Sequence, residues 1–156
     1  MEIQVKLLRP GALVPRRAYE GDAAFDLHAA ADLDLAPHER AVVPTGIALG
    51  LPPGVAALTV PRSGLAARHG ITIVNAPGLI DPGYRGEVKI VLLNTDDEHT
   101  FAIRSGDRIA QLLLLAPVDA RLLGVSELDA TERGERGFGS SGVEARVEPI
   151  DGPSGD

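Results

Sequence analysis

Short apolar runs, separated by glycine and proline, follow one another along most of this chain. In the first of them Ile3, Val5 and Leu7 alternate with Gln4 and Lys6, which is the two-residue period of a half-buried β-strand. No apolar period of 3.6 residues persists for three turns, so no long helix is expected. The runs predict strands near residues 2–8, 24–29, 32–35, 40–43, 46–51, 54–60, 71–75, 84–94, 99–103, 108–115 and 119–125.

One short helix is predicted, in the segment SGLAARHG (63–70). Ser63 has a hydroxyl suited to capping the first turn, and Gly70 is suited to ending the helix. Many short strands at close spacing, joined by Gly- and Pro-containing turns, are typical of a sandwich, a jelly roll or a barrel. The pattern therefore predicts an all-β fold with a single short helix.

The strand predicted at 84–94 changes character half-way along. Glu87 and Lys89 alternate with apolar residues, whereas Val91 and Leu93 make the later part apolar on both faces. We expect the first half to face solvent or a cavity. The second half is expected to be buried on both sides, with another subunit as a candidate cover.

The periodicity ends near Ser126, where the sequence becomes charged and rich in Gly and Ser. Segments of this composition bury too little apolar surface to offset the entropy of ordering them. We predict a β domain over residues 1–125, a mobile C-terminal arm over 126–142 and a disordered tail over 143–156.

Composition narrows the function classes. The 156 residues suffice for one domain with a hydrophobic core, and the hydrophobic share of 44% is ordinary for a soluble globular protein. No apolar run approaches the length of a membrane span, so we expect neither a membrane segment nor a secretory leader. The chain has no cysteine, which removes disulfides and thiolate metal sites and suits a cytoplasmic location.

The net charge of −7 disfavours non-specific binding to nucleic acid or to an acidic membrane. An anionic small molecule would therefore need a local cluster of arginines or backbone N–H groups. The candidate chemistry is sought in such local clusters.

The stretch NAPGLIDPGYRGEVKIV (75–91) joins two apolar runs through a turn rich in proline and glycine, which predicts a long β-hairpin. The turn contains a carboxylate, a phenol and a guanidinium that it does not itself require: Asp81, Tyr84 and Arg85. Loops on rigid scaffolds often carry binding and catalytic residues. The structural alternative is a hairpin with ordinary solvated turn residues.

Three further segments each contain a polar group that packing alone does not explain. In VPRSGLAARHG (60–70), the Arg62 guanidinium, the Ser63 hydroxyl and free N–H groups at a helix start indicate an anion site. In GDRIAQLLLL (106–115), Gln111 interrupts an apolar run and would need a partner if buried. In GDAAFDLHAA (21–30), Asp26 points away from its two neighbours on a strand. The structural alternatives are a capped strand–turn, a hairpin leading into a buried strand, and an exposed aspartate.

The arm contains RGERGFGSSG (133–142), part of which matches the dinucleotide-binding pattern G-x-G-x-x-G. No strand precedes it and no helix follows, so that interpretation fails and a flexible linker is the plain alternative. Arginine, hydroxyls, mobile glycines and one aromatic ring instead suit a lid over a phosphorylated, planar ligand. A phosphate-binding P-loop, an H-E-x-x-H zinc motif and a G-x-S-x-G nucleophile motif are all absent, and the four histidines lack ligand spacing.

Five segments in order resemble the trimeric deoxyuridine triphosphatase (dUTPase) family, and actinobacterial members most of all. They are AAFDL (23–27), PRSGLA (61–66), NAPGLIDPGYRGE (75–87), GDRIAQL (106–112) and RGERGFGSSG (133–142). The resemblance implies a β jelly roll of the β-clip type and a homotrimer with active sites at subunit interfaces. It also implies hydrolysis of dUTP to dUMP and pyrophosphate with Mg²⁺, which limits uracil in DNA and supplies dUMP for dTMP synthesis.

The resemblance assigns roles by position. Asp81 resembles the general base that orients the attacking water, and Tyr84 the ring that packs on deoxyribose and leaves no room for a 2′-hydroxyl. Asn75, with backbone groups of the hairpin, would read the uracil edge. Asp26 resembles the carboxylate that binds Mg²⁺ through water. The phosphate-holding positions match Arg62, Ser63, Gly64 and Gln111.

In the arm, Arg133 resembles a clamp on the γ-phosphate, Phe138 a ring that stacks on uracil, and Ser140 and Ser141 further phosphate contacts. The resemblance places Gly78, Ile80, Lys89 and Gly139 among the substrate-binding positions as well. Arg108 is interpreted as structural, with an interface role as one option.

Two other functions compete with this interpretation. A dCTP deaminase, monofunctional or bifunctional, shares the fold and the phosphate site, but it relies on a glutamate in a different third motif, where this chain has Asp81 and Tyr84. A catalytically idle jelly roll that binds nucleotide or a protein for regulation is the second alternative.

Overall fold

A computed structural model of the chain describes residues 1–137. It contains ten strands and one helix within that range. In chain order they are β1 (Gln4–Leu7), β2 (Ala24–His28), β3 (Leu33–Leu35), β4 (Arg40–Gly50), β5 (Ala56–Val60), α1 (Ser63–His69), β6 (Ile71–Ile73), β7 (Gly78–Ile80), β8 (Glu87–Asn94), β9 (Phe101–Ile103) and β10 (Arg108–Leu115).

All the strands lie in a compact unit that spans Met1–Asp119, and a second unit begins at Ala120. Two four-stranded sheets have the orders β1-β4-β8-β6 and β2-β10-β5-β7, and β3 pairs with β9. Every strand pair is antiparallel. The predicted all-β fold with one short helix is confirmed for the described residues.

The core is aliphatic and draws side chains from both larger sheets. Leu49 of β4 and Ile90 of β8 come from one sheet, and Leu27 of β2 and Leu112 of β10 come from the other. Each is nearly inaccessible to solvent. Apolar burial of this kind is the main favourable contribution to folding, and it holds the two sheets that carry the candidate site.

The two strands predicted at 40–43 and 46–51 are one long strand, β4. Its register against β8 is irregular between Pro44 and Ala48, and Gly46 there has φ of 71°. Proline lacks an N–H and is tolerated in a strand at such an irregularity. The gap between the two predicted strands is therefore a bulge.

The stretch 75–91 was predicted as a hairpin turn, and the structure corrects that prediction in part. β6 and β8 are antiparallel neighbours, with Ile73 opposite Leu92. The segment between them contains a further strand, β7, which crosses to the other sheet and pairs with β5. Only three residues, Gly78–Ile80, form β7, and their pairing depends on β5 rather than on their own sequence.

The strand predicted at 119–125 is absent, so that prediction is wrong. Residues 116–125 have no regular secondary structure. Leu122, Leu123 and Val125 supplied the apolar pattern, and all three are exposed. The described part of the chain provides no strand to pair with them, and an unpaired strand has no stability of its own.

The helix is confirmed but its predicted cap is not. Arg62, in extended conformation, occupies the N-cap position and makes no side-chain capping bond, and Ser63 is already the first helical residue. Gly70 ends the helix in the left-handed conformation at φ of 62°, as predicted. No helix in residues 1–137 has the length and apolarity needed to cross a membrane.

The later half of β8 is only half-buried on its second face. Val91 and Leu93 are partly accessible to solvent. Val42 of β4, which pairs with Val91, is 58% exposed. Among residues 1–137, therefore, nothing covers this face completely.

Candidate active site

The hairpin residues line one cleft of about 230 Å³ beside β7 and β8. Six of its lining residues were predicted as site residues: Asn75, Gly78, Ile80, Asp81, Tyr84 and Lys89. Four others complete it: Thr59, Leu79, Glu87 and Val88. The cleft thus combines an amide, a carboxylate, a phenol and an ammonium with apolar walls, which is the usual make-up of a small-molecule site.

A tight turn carries Asp81 and Tyr84. The Tyr84 N–H donates to the Asp81 carbonyl oxygen at 3.1 Å, and the Tyr84 hydroxyl donates to the Glu87 carbonyl oxygen at 3.0 Å. The phenol thereby folds over Gly86, where an added Cβ would collide with the phenol oxygen and lie 3.0 Å from Cε2. Gly86 is required so that the ring can take this position.

Arg85 stabilises the turn itself. Its Nη1 donates to the carbonyl oxygens of Pro82 and Tyr84. Of Asp81, Tyr84 and Arg85, the guanidinium of Arg85 therefore has a structural role within the turn.

Glu87 fixes the base of the hairpin to β4. Its Oε1 accepts the Gly46 N–H at 2.9 Å, and its Oε2 accepts Arg9 Nη2 at 3.0 Å. Lys89 Nζ lies 3.8 Å from Glu87 Oε2. The carboxylate joins the β4 bulge, the N-terminal segment and the edge of the cleft, so the cleft is built on a fixed element.

A second cleft, of about 500 Å³, contains the other main set of predicted residues: Asp26, Arg62 and Gln111. Arg108 also lines it, together with residues of the loop before β2. Asp26 is only 5% exposed, so the interpretation of this residue as an exposed strand aspartate is wrong.

A β-bulge explains why Arg108 and Gln111 share this cleft. Gln111 lies opposite Asp26, and Arg108 lies opposite His28, with the register shift between Arg108 and Ala110. In a regular strand, residues three apart face opposite sides of the sheet. The bulge inserts one residue and turns Arg108 to the Asp26 side.

Two arginines flank the buried Asp26 carboxylate. Arg62 Nε lies 3.4 Å from Oδ1, without hydrogen-bond geometry, and Arg108 Nη1 donates to Oδ2 at 3.3 Å. Arg62 Nη1 also donates to the Arg108 carbonyl oxygen at 3.2 Å. Asp22 lines the cleft as well, so the two guanidinium groups favour an anionic ligand through the hydrogen bonds they can donate rather than through an excess of positive charge.

His28 lies beside this cluster. Burial lowers its pKa below the usual value; the nearby Asp26 carboxylate opposes that shift, and Arg108 and Arg62 reinforce it. Its buried Nδ1 has no hydrogen-bond partner in the described part of the chain. We therefore treat His28 as a neutral neighbour of the cluster at pH 7.

Ser63 and Gly64 lie at the start of α1, where the first N–H groups of a helix have no intrahelical acceptor. The Arg68 guanidinium lies over Gly64, with Nη2 2.8 Å from the position of an added Cβ. Arg68 is a basic group that the sequence did not single out. Its spacing of four residues from Gly64, one turn along the helix, is the signal that could have identified it.

Arg133 belongs to the second unit, in a turn of residues 131–136. Its Nε donates to the Arg136 carbonyl oxygen at 3.0 Å, and Arg136 Nε donates to the Arg133 carbonyl oxygen at 3.1 Å. The four remaining predicted contacts lie outside the described residues: Phe138, Gly139, Ser140 and Ser141.

The described residues contain no group of three or more His, Asp or Glu side chains that could hold a metal ion. Asp26 is a single carboxylate with arginines as its charged neighbours. Any divalent cation here would take most of its ligands from water or from a bound substrate.

A family model for dUTPase matches residues 11–142. Among curated proteins, the deoxyuridine 5′-triphosphate nucleotidohydrolase of Bifidobacterium longum subsp. infantis is 52% identical over 144 residues, which cover 91% of this chain and 90% of the relative. The enzyme of the same name from Streptomyces coelicolor is 45% identical over 99% of this chain and 85% of the relative. This chain belongs to the dUTPase family.

Solved dUTPase structures share the fold. The Staphylococcus bacteriophage 80alpha dUTPase with dUpNHpp superimposes with a TM-score of 0.84 at 33% identity, over 91% of this chain and 99% of the other. A variant of the dUTPase from phage phi11 of Staphylococcus aureus, which was solved to describe the coordination of a structural Mg(II) ion, gives 0.77 at 28% identity, over 83% and 100%.

Two lining residues of this dUTPase-family chain were not predicted as site residues: Thr59 and Arg108. Thr59 lies in the strand predicted near 54–60, and only the pairing of β5 with β7 reveals it in the hairpin cleft. Arg108 contacts Asp26 and lines the second cleft, and its structural interpretation stays a prediction. The bulge that turns Arg108 has no clear sequence signature.

Proposed function

We propose that this chain hydrolyses dUTP to dUMP and pyrophosphate, with dUTP bound between the hairpin cleft of one copy and the second cleft of another. One observation carries the proposal: the hairpin places Asn75, Asp81 and Tyr84 around a single cleft, in a chain of the dUTPase family. The Asn75 amide would contact the uracil base, the Asp81 carboxylate would orient the attacking water, and the Tyr84 ring would pack on the sugar. The curated relatives named for this activity and a solved relative that holds dUpNHpp support it.

Asp81 is proposed as the general base. Its carboxylate is exposed at the cleft, where a water can approach it, and the turn to Tyr84 fixes its backbone. It would accept a proton from the water as that water attacks the α-phosphorus, with pyrophosphate as the leaving group. Tyr84 and Asn75 would hold the sugar and the base so that the water and the phosphorus remain aligned.

The second cleft is proposed to hold the phosphates. Arg62 and Gln111 line it, and Ser63 and Gly64 follow Arg62 directly with free N–H groups. Hydrogen bonds between a guanidinium and phosphate are among the stronger ones in proteins. Arg133 is proposed to join them from the arm, on the strength of the family resemblance.

Asp26 fits a role as a ligand of Mg²⁺ through water, because its buried Oδ1 has no hydrogen-bond partner in residues 1–137. Mg²⁺ commonly retains waters and relies on substrate phosphates, which suits a cleft with few carboxylates. When bound, the ion would neutralise charge on the phosphate oxygens. The protein's own contribution would be to position Asp26, which Arg62 and Arg108 do.

A homotrimer with sites between subunits is part of the proposal. Asp81 and Asp26 line separate clefts of one chain, so a ligand that needs both sets of residues would be completed by a second copy. The half-buried Val91 and Leu93, together with the exposed Val42, provide an apolar surface that a subunit could cover. The mass of the protein in solution tests this assembly.

An assay of pyrophosphate release over dUTP, dCTP, dTTP and UTP, with and without Mg²⁺, tests the function. We expect rapid release from dUTP that depends on the metal, and slow release from the other three. Ammonia released from dCTP would favour the deaminase instead. A protein that binds dUTP without releasing pyrophosphate would favour the regulatory module.

A further inference from the structure

Thr59 has an unusual position in the hairpin cleft. It lies in the interior of β5, is 5% exposed, and pairs directly with Gly78 of β7. Directly opposed residues in an antiparallel pair project from the same face of the sheet. Because Gly78 has no side chain, nothing from β7 covers Thr59, and its hydroxyl faces the cleft.

The Thr59 hydroxyl makes no hydrogen bond within residues 1–137. The fully enclosed side-chain polar atoms without a partner in that range are Asp26 Oδ1 and His28 Nδ1, so the Thr59 hydroxyl is open to the cleft. The other buried threonine, Thr45, donates its hydroxyl to the Val88 carbonyl oxygen. A nearly buried hydroxyl is usually paired, and this one is available to a ligand.

A second polar group converges on the same point. A Cβ added to Gly78 would collide with the Thr59 hydroxyl and would lie 3.2 Å from the Asn75 amide nitrogen. A hydroxyl and a carboxamide can each donate and accept. Side by side on one wall, they match a flat ligand edge on which carbonyl oxygens and an N–H alternate.

We propose that Thr59 is a further base-contacting residue, whose hydroxyl pairs with the polar edge of the pyrimidine beside Asn75. This inference rests on the proposed function, because Asn75 is the residue expected to read uracil. It assigns Thr59 a contact with substrate, whereas Gly78 acts by leaving the space open. The phosphates are bound elsewhere, so the effect of Thr59 is confined to the base.

Thr59→Val tests the proposal, since it removes the hydroxyl and preserves shape and strand preference. With full-length protein, we expect KM for dUTP and the inhibition constant of dUMP to rise about 3- to 10-fold, the range of one neutral hydrogen bond. The kcat for dUTP should stay within about 2-fold, because the contact is equal in the ground and transition states. Inhibition by inorganic tripolyphosphate, which has no base, should not change.

Two variants control for a structural effect. Thr59→Ser retains the hydroxyl and should keep both constants near those of the wild type. Thr45→Val removes a hydroxyl that bonds to the backbone, so it should lower the thermal midpoint and leave KM unaffected. Wild-type constants in Thr59→Val, or an equal shift for dUMP and tripolyphosphate, would overturn the proposal.

Failure of the proposed function has a different signature. In that case the wild-type protein would release no pyrophosphate from dUTP. Calorimetric binding of dUMP to the wild type and to Thr59→Val would still report on the base contact. Equal binding by the two proteins would reject the role of Thr59 independently of catalysis.

Discussion

Arg108 lies against the buried carboxylate of Asp26, with 3.3 Å between Nη1 and Oδ2. The contact exists because a bulge turns Arg108 to the same face as Gln111. In a regular strand Arg108 would face the other side of the sheet. Of the two arginines that now contact Asp26, only Arg62 would remain. The geometry of the second cleft therefore depends on one inserted residue.

Replacing Arg108 should destabilise the fold. Arg108→Gln removes one of two cations from a buried carboxylate, at a cost of about 1–2 kcal/mol once solvent screening of the half-exposed arginine is allowed for. Urea unfolding measures the change. Arg104→Gln, which breaks a contact with Asp34 between two mostly exposed side chains, is the control and should cost less. Equal effects in the two variants would contradict a special role for the Asp26 cluster.

Gly86 should determine how well the protein distinguishes dUTP from UTP. An alanine Cβ there would collide with the Tyr84 phenol and displace the ring that is proposed to exclude a 2′-hydroxyl. We expect the ratio of kcat/KM for dUTP to that for UTP to fall about 10-fold in Gly86→Ala, a typical value for loosening one steric contact. Steady-state rates with both nucleotides measure it.

Gly83→Ala is the matched control for Gly86→Ala. Gly83 belongs to the same turn, but an added Cβ there has no atom within 4 Å and its φ is not in the left-handed region. Discrimination should stay at the wild-type value. If both variants lose discrimination equally, flexibility of the turn, rather than the position of Tyr84, controls the sugar.

Asp81→Asn should abolish most turnover and leave binding intact. An amide cannot accept the proton of the attacking water, so kcat should fall by on the order of 10²- to 10⁴-fold. Binding of dUMP should hold, since Asp81 is exposed and its backbone turn is unchanged. Asp97→Asn, in an exposed carboxylate beside His38, is the control and should have wild-type turnover. Undiminished pyrophosphate release by Asp81→Asn would exclude the proposed mechanism.

Much of the fold was predictable because the apolar alternation of β1 and the nearly continuous apolar run of β10 are local signals. The strand that was not predicted, β7, is three residues long. It forms because it pairs with β5, which is a tertiary effect. The strand wrongly predicted at 119–125 shows the converse, since Leu122, Leu123 and Val125 have the apolar pattern but are exposed, with no strand paired to them in the described part of the chain. Apolar sequence predicts strands only where another strand is available.

The candidate site was predictable to a similar extent. Asp81 and Tyr84 stood out because a turn does not need them, and the structure brings them together in one cleft. Thr59 did not stand out, since threonine is common in strands and its exposure to the cleft depends on the glycine opposite. The sequence revealed the residue types of the site, but not which residues lie opposite one another on paired strands.

Asp96 should govern part of the acid sensitivity of the fold. Hydrogen bonds from the Glu98 and His99 N–H groups, and then from the His99 ring, lower the Asp96 pKa to about 2. A carboxyl whose pKa is lower in the folded state stabilises the fold above its unfolded pKa, and this contribution is lost as the pH falls. The wild type should therefore be more stable than Asp96→Asn at pH 6, and the difference should shrink between the usual pKa of 3.8 and about 2. Urea unfolding across that range measures it, and a difference independent of pH would contradict the assignment.

Removal of the C-terminal arm should separate assembly from turnover. A chain ending at Glu132 loses Arg133 and the predicted contacts at Phe138, Ser140 and Ser141, so turnover of dUTP should fall at least about 10-fold, the effect of losing one charged hydrogen bond. Its mass in solution should correspond to the same number of subunits as in the full-length protein, because the sheets end at Leu115. A chain ending at Gly142, which keeps the whole motif, is the control and should retain full activity. Full activity in the shorter chain would show that the arm takes no part in the reaction.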